Sequence, residues 1–425
     1  ESSRCPQVHE GVGSADRPRI RIQNHFDINQ SGSGAGFMKV KPEGSPGLYV
    51  HVPFCRSRCT YCDFHVAALR PGVVTDYVSA LILEIQHHAD AGFSPETIFI
   101  GGGTPSALSV EDWTRLLKCL SESFQSGLKE WTIEANPESI DEQKIEIALS
   151  LGVDRLSTGA QTFVETGLAL LGRRHDAQRV HEVHDLFQKL GVPRTSLDLI
   201  VGWPGQAIDS VNTDLAAVKE IDPDHISLYH LSYEQGTWLH SMRERGGLKP
   251  IMDDTCIELS RAFLQGLQEQ GFERYEVSNL YARGGASLHN LNYWERGEYL
   301  GVGSGAASFM EGLRWKNKPD VQKYISAGGS PEKVSIETPE LLEVVTELIM
   351  LELRLTRGMN LNRFKTETGL DFHEICGESL HSFEKRGLLI QGENAIRASS
   401  EGFEVLDSVI VKFVEDAEER LNEGT

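Results

Sequence analysis

Six times between residues 46 and 235, a short run rich in β-branched and aromatic residues alternates with a longer stretch of helical apolar spacing. The short runs are 48–52, 97–100, 131–135, 155–159, 196–201 and 225–231, and helical spacing occupies stretches between them such as 74–90, 109–124, 141–152 and 176–191. A strand that reaches the next only through a helix returns parallel to it, so this alternation predicts an α/β fold with a parallel sheet. Six such units form either an open doubly wound sheet or a partial barrel, and in both the ligands gather at the carboxyl ends of the strands. Helix boundaries are signalled by Ser109 with Asp112 three residues on, by Asp176 ahead of an apolar stripe, and by Gly191 at a helix end.

The strand ends carry chemically suggestive sequence. "HVPFCRSRCTYCDFH" (51–65) comes after the first, "GGGTPS" (101–106) after the second, "EANP" ends the third, and "GAQT" and "GWPGQ" succeed the fourth and fifth. Cys55, Cys59 and Cys62 fall within eight positions in a chain of 7 cysteines. Thiolates are soft ligands that suit zinc or an iron–sulfur cluster. Spacing alone leaves open a zinc site completed by His51 or His65, and a four-iron cluster with one iron uncovered by protein. The loop's place at the mouth of a sheet among glycine turns favours the cluster. Gly102, Gly103 and Thr104 belong to a glycine run that lets the backbone approach a ligand closely. Glu134, Gln161, Arg173 and Asp198 are polar residues at or soon after strand ends. A carboxylate there takes a ribose hydroxyl or an ammonium, and a guanidinium pairs with a carboxylate; taken singly, each reads better as a cap or a solvated side chain. Arg56 and Arg58 flank the cysteines and suit an acidic electron donor, or are a solvated pair.

Composition narrows the partners. With 41 basic and 62 acidic side chains the formal charge is −21, which opposes nucleic acid and anionic lipid over most of the surface. No run of about 18 uncharged apolar residues occurs, and the most apolar helix candidate, 340–355, is interrupted by Glu and Arg. Cys5, Cys119, Cys256 and Cys376 show no paired spacing, so a reducing compartment is expected rather than a disulfide framework. Residues 1–45 read as a flexible extension or processed end with a glycine–serine run at 31–36, and Met38 as a candidate internal start. Residues 46–235 form the core. Residues 236–329 are a connecting region carrying "HNLNYW" (289–294), by itself an ordinary aromatic core segment. Residues 330–425 are a smaller, mostly helical, winged-helix-like domain ending in a hairpin at 387–399. Its 331–425 portion holds 20 Asp and Glu against 10 Lys and Arg, so it reads as a packing or lid domain and not a DNA reader.

Taken together, Cys55-x3-Cys59-x2-Cys62 with Tyr61 inside it, "LYVHVPFC", "GGGTPS", "EANP", "RLSTGAQT" and "DLIVGWPGQ" resemble the radical S-adenosylmethionine (SAM) proteins of the oxygen-independent coproporphyrinogen III oxidase-like family, over about residues 46–400. The resemblance implies a partial (β/α)6 barrel and a [4Fe-4S] cluster on Cys55, Cys59 and Cys62. It also implies SAM on the open iron, surrounded by Tyr49, Tyr61, Gly102, Gly103, Thr104, Glu134, Gln161, Arg173 and Asp198. In such proteins the reduced cluster passes an electron to the sulfonium and a 5'-deoxyadenosyl radical results. Two features point to the heme chaperone branch. Cys62 is followed by Asp63 and Phe64, where the oxidases carry a further cysteine two places on, and "HNLNYW" matches H-N-x-x-Y-W, which implies heme contact at His289. The partners then implied are heme, heme acceptors of respiratory or heme-storage type, and an electron donor such as a flavodoxin, with no nucleic acid. The reading leaves room for a homodimer and a peripheral membrane contact. The address expected is cytoplasmic, or an organelle where a leader has been removed, and the competing activity is oxidative decarboxylation of coproporphyrinogen III.

Overall fold

A computed structural model describes residues 46–124 and 126–423; the extension at 1–45, with Cys5, its glycine–serine run and Met38, lies outside the described residues. Six parallel strands run β1 (Gly47–Val52), β2 (Thr97–Gly102), β3 (Glu130–Ala135), β4 (Arg155–Gln161), β5 (Arg194–Val201) and β6 (His225–His230). They lie side by side in chain order, each joined to the next through at least one helix, as the alternation predicts. Leu48, Val50, Val52, Ile98, Ile100, Trp131 and Ile133 all point to one face. There they pack on Leu81 and Ile85 of helix Pro71–Asp90, Trp113 and Leu116 of helix Val110–Ser123, and Ile145 of helix Glu142–Ser150. Leu197, Leu199, Ile226 and Leu228 continue that face against Val211, Val218 and Phe263. At about 1.5–3 kcal/mol for each fully buried aliphatic side chain, this layer is the main source of cohesion. Because side chains alternate along a strand, the other set faces inward: Tyr49 pairs level with Phe99, Phe99 with Thr132, Glu134 with Ser157 and Asp198 with Ser227. The inner face therefore carries aromatic rings, Tyr49 and Phe99, and polar groups, Glu134, Ser157 and Asp198.

Helix starts agree with the sequence signals. The side chains of Ser109, Asp141 and Asp176 each accept from the main-chain N–H three residues on, and Gly191 closes its helix at φ 71°.

Residues 236–337 widen the sheet at both edges, so the connecting region runs past the expected boundary at 329 and the C-terminal part begins after the strand Lys333–Glu337. Asn279–Tyr281 adds antiparallel to β6, with Glu273–Arg274 beyond it. Tyr299–Val302 adds parallel to β1 and leads into an antiparallel meander of Ala307–Met310, Leu313–Asn317 and Lys333–Glu337, making twelve strands. Buried Glu84 ties that edge to the helical layer. It accepts from Gly303 N at 2.8 Å, Asn317 Nδ2 at 2.8 Å and the Tyr324 hydroxyl.

Helix Leu288–Trp294 closes the amino ends of the inner face. Seven residues do not hold a helix unaided, and Glu130, the first residue of β3, holds this one. Its carboxylate accepts from Ser287 Oγ at 3.1 Å, Leu288 N at 3.0 Å and His289 N at 3.1 Å, and pairs with Arg194 at 3.2 Å.

The C-terminal part has its own core, built on Phe364, Phe372, Phe383 and Phe413. Helices Leu341–Glu352, Leu361–Thr368, Phe372–Lys385 and Leu406–Glu423 pack there with a three-stranded antiparallel sheet. The expected hairpin is Leu389–Gln391 with Ala395–Ala398. Arg296, just past the short helix, joins the two parts by pairing with Glu347 at 2.7 Å and Glu367 at 3.0 Å. No helix among the described residues is long and apolar enough to cross a membrane.

Glu130 is 1% exposed, so Glu130→Ala strands three N–H or O–H donors and leaves Arg194 with Asp154 as its remaining carboxylate partner. Breaking a buried pair of this kind costs about 3–5 kcal/mol. The urea midpoint of Glu130→Ala is expected to fall accordingly. Lys118→Ala, which removes the exposed Lys118–Glu122 pair, stays within about 0.5 kcal/mol of wild type.

Candidate functional site

After β1 the chain makes a two-residue strand, Phe54–Cys55, that pairs in parallel with Ala67–Ala68, so the cysteine loop leaves and returns at one point. Its tip is anchored by Thr60, whose N and Oγ1 donate to Leu171 O (3.2 Å) and Leu170 O (2.8 Å), and whose carbonyl accepts from Leu239 N at 3.0 Å. Within the loop, Cys62 N donates to Cys59 O at 3.4 Å and Arg58 Nε to Cys62 O at 3.0 Å.

The loop and five strand ends enclose a cavity of about 460 Å³. Cys55, Cys59, Tyr61, Cys62, Gly102, Gly103, Thr104, Glu134, Gln161, Arg173 and Asp198 all line it. Two residues implied by the resemblance do not. Tyr49 lies deeper, its hydroxyl 3.0 Å from His51 Nδ1 and its ring stacked on Phe99. His289 lies lower still, at the amino ends of the strands, and is 0% exposed. Its Nδ1 is 2.8 Å from Thr97 Oγ1, its Nε2 is 2.9 Å from the Tyr293 hydroxyl, and its ring stacks on Phe99. Burial pushes its pKa down to about 3, which leaves a neutral imidazole with both nitrogens engaged.

The thiols meet a mixed environment. Thr104 Oγ1 lies 3.5 Å from Cys55 Sγ and Arg173 Nη1 lies 3.4 Å from Cys59 Sγ. Burial raises the Cys55 pKa and takes Cys62 to about 11, so these thiols stay protonated until a metal claims them. Among the described residues, no three of His, Cys, Asp or Glu converge as ligands of a single metal ion. His51 Nε2, moreover, is committed to the His65 carbonyl at 3.1 Å. The zinc reading open from spacing alone therefore cannot draw on His51 without breaking that bond, whereas a cluster distributes its thiolates over separate irons.

The rest of the cavity suits a small zwitterion with hydroxyls. Among the described residues, the hydrogen bond to the Glu134 carboxylate comes from Gly102 N–H at 3.2 Å. Burial, then the nearby Asp198 charge, pushes its pKa up to about 8. Burial likewise raises Asp198, which is steadied by Ser157 Oγ at 3.1 Å. Arg173 is held by the Gly159 carbonyl at 2.7 Å, while its Nε is buried without a partner. Two carboxylates without a bonded cation and one free guanidinium N–H are what a ligand carrying an ammonium, a carboxylate and ribose hydroxyls requires.

The glycine run has a reason that sequence reasoning did not supply. A Cβ at Gly101 would lie 2.9 Å from the Glu134 carboxyl, one at Gly102 2.3 Å from His51 Nδ1, and one at Gly103 2.7 Å from Phe54 N. Gly102 also holds φ +106°. Packing within the chain demands these glycines before any ligand arrives. Ser157, and the inward place of His51, were missed as well; the alternation of β4 and β1, which aims both inward, is the signal that finds them.

Comparison with known proteins agrees with this geometry. The radical SAM superfamily pattern matches residues 49–217 and the HemN C-terminal domain pattern residues 340–405. The heme chaperone HemW of Lactococcus lactis is 32% identical over 372 residues, covering 87% of this chain and 97% of that protein. HemW of Bacillus subtilis is 32% identical over 362 residues, 83% of this chain and 95% of that one. The chain belongs to the HemW branch of the radical SAM superfamily. The mitochondrial radical S-adenosyl methionine domain-containing protein 1 of Bos taurus is 32% identical over 403 residues, 89% of each chain. The solved structure of Escherichia coli coproporphyrinogen III oxidase, HemN, shares the fold, with a TM-score of 0.74 at 22% identity over 88% of this chain and 91% of that one. Radical SAM membership implies a [4Fe-4S] cluster and SAM, and the three thiols and the polar cavity of this HemW-branch chain fit both.

Between Glu134's ordinary value of 4.5 and about 8, the folded cofactor-free protein holds a proton that the unfolded chain has lost. Its stability therefore declines as pH rises through that window. Glu134→Gln is expected to flatten the decline, read as melting temperature of cofactor-free protein between about pH 5 and pH 8. An unaltered slope in the variant would show that Glu134 is already ionised.

Proposed function

We propose that this protein is a heme chaperone that takes up heme and passes it to acceptor proteins, with a [4Fe-4S] cluster on Cys55, Cys59 and Cys62 and SAM at the open iron. The observation that carries the reading is similarity to HemW proteins along nearly the whole chain, with Asp63 and Phe64 standing where a further cysteine would mark an oxidase. Glu134 and Asp198 receive the ammonium and ribose hydroxyls of SAM, and Arg173 its carboxylate. Tyr61 walls the cavity beside the thiols. When bound, the cluster supplies an electron for the sulfonium. Acceptors of respiratory or heme-storage type, and an acidic electron donor facing exposed Arg56 and Arg58, complete the proposal.

His289 is the heme-contacting residue in this reading. In the conformation described it has no free ring nitrogen, so ligation requires helix Leu288–Trp294 to shift and the Thr97 or Tyr293 bond to break.

The test is heme titration of anaerobically reconstituted protein, with and without SAM. A Soret band is expected, and His289→Ala should weaken binding roughly tenfold or more. An unchanged spectrum and affinity removes His289 as ligand, and no heme uptake at all defeats the chaperone reading. In parallel, coproporphyrinogen III with SAM and a reductant should show no turnover; conversion to protoporphyrinogen at an enzymatic rate would establish the oxidase instead.

A further inference from the structure

The return of the cysteine loop to the fold is held by a side chain that neither cluster nor SAM binding uses. His51 is 6% exposed and lies four residues before Cys55 on the inner face of β1. Its Nε2 is 3.1 Å from the His65 carbonyl, three residues after Cys62. A carbonyl only accepts, so Nε2 carries the hydrogen. Burial lowers the His51 pKa to about 4, so the ring is neutral and Nδ1 is the acceptor, taking the Tyr49 hydroxyl proton at 3.0 Å. Burial thus fixes one tautomer.

The chain of bonds continues past the loop. The His65 ring stacks over His51 at 6.1 Å and its Nε2 faces Ser304 Oγ at 3.2 Å. Ser304 donates its hydroxyl proton to the Lys318 carbonyl at 3.2 Å, so it accepts from His65. Tyr77, fully buried, donates to the His51 carbonyl at 2.8 Å and accepts from Ser304 N at 2.9 Å. Main chain and ring of His51 are thereby held from two directions, and a Cβ at Gly102 would collide with the ring. The strand pair at Phe54–Cys55 and Ala67–Ala68 fixes the loop's base, and Thr60 fixes its tip. The His51 bond reaches the main chain between these anchors, on the side that carries Cys62.

We infer that His51 is a positioning residue for the cluster loop: its Nε2–H···O bond to His65 sets where Cys62 stands relative to Cys55 and Cys59. The inference rests on the three cysteines being cluster ligands and is independent of heme.

A substitution series separates this role from general packing. The amide nitrogen of His51→Gln reaches the Nε2 position and can still donate to His65. In His51→Asn the amide stops near Nδ1, and His51→Ala offers neither contact. Hydrogen–deuterium exchange on the metal-free full chain is expected to rise roughly tenfold over residues 59–66 in the Ala and Asn variants, the loss of about one hydrogen bond. The Gln variant should stay within about twofold of wild type, and exchange in the C-terminal domain should not change. Iron loss from reconstituted protein to a chelator should show the same order. The Asn and Gln pair carries the comparison should the Ala variant fail to fold. Loop exchange at the wild-type rate in His51→Asn, or a Gln variant no better than Asn, overturns the assignment. Failure of wild-type protein to take up a cluster defeats the cluster reading instead, and the metal-free exchange still decides the role of His51.

Discussion

Everything at the site leans on the alternation of β1. Leu48, Val50 and Val52 must meet the helical layer, so Tyr49 and His51 must face inward, and a slip of one residue would exchange the two sets. The register is set twice, because β1 pairs in parallel with β2 on one side and with Tyr299–Val302 on the other. From this one strand both ends of the inner face are organised. Gly47, at its start, leaves room for the His289 ring, which a Cβ would approach to 3.0 Å, while its end feeds the cysteine loop.

The inner face is costly to build. Glu134 and Asp198 face the same cavity, and burial first, then the Asp198 charge, raises the free energy of the Glu134 carboxylate, while burial raises that of Asp198. Arg173 is near enough to relieve them but is turned to Gly159 O and Cys59 Sγ. The chain therefore keeps two acidic groups and one guanidinium N–H unmatched where a ligand can match them. Any ligand that matches them stabilises the folded state by mass action.

The alternation made β1 to β6 and their helices legible, because each strand there is buried on a helical layer and several helix starts carry a capping residue. The additions at the sheet edges were not. Asn279–Tyr281 is three residues long and Tyr299–Val302 four, too short for a period to register, and the partner of Tyr299–Val302 lies some 250 residues away in β1. The cavity residues from Cys55 to Asp198 were legible since strand ends share one mouth. The place of Tyr49 was not, because a motif match carries no information on depth. The glycine run was half legible: Gly102 and Gly103 line the cavity as the ligand reading expects, but the demand for glycine from His51, Phe54 and Glu134 comes from distant parts of the chain that no local motif reveals.

The short helix at 288–294 unites the two halves of the chain. Glu130 binds its amino end, and past its carboxyl end Glu295 and Arg296 reach Arg357, Glu347 and Glu367 of the C-terminal part. Arg296 sits at φ 52°, an unfavourable conformation for a residue with a side chain, and is only 11% exposed in a network whose partners are equally enclosed. Enclosed pairs are screened little by salt, so the link is stiff. His289, between these two attachments, stacks on Phe99, which stacks on Tyr49, whose hydroxyl donates to Nδ1 of His51. Any displacement of His289 therefore pulls against the C-terminal ion pairs at one end and unpacks the ring column beneath the cysteine loop at the other.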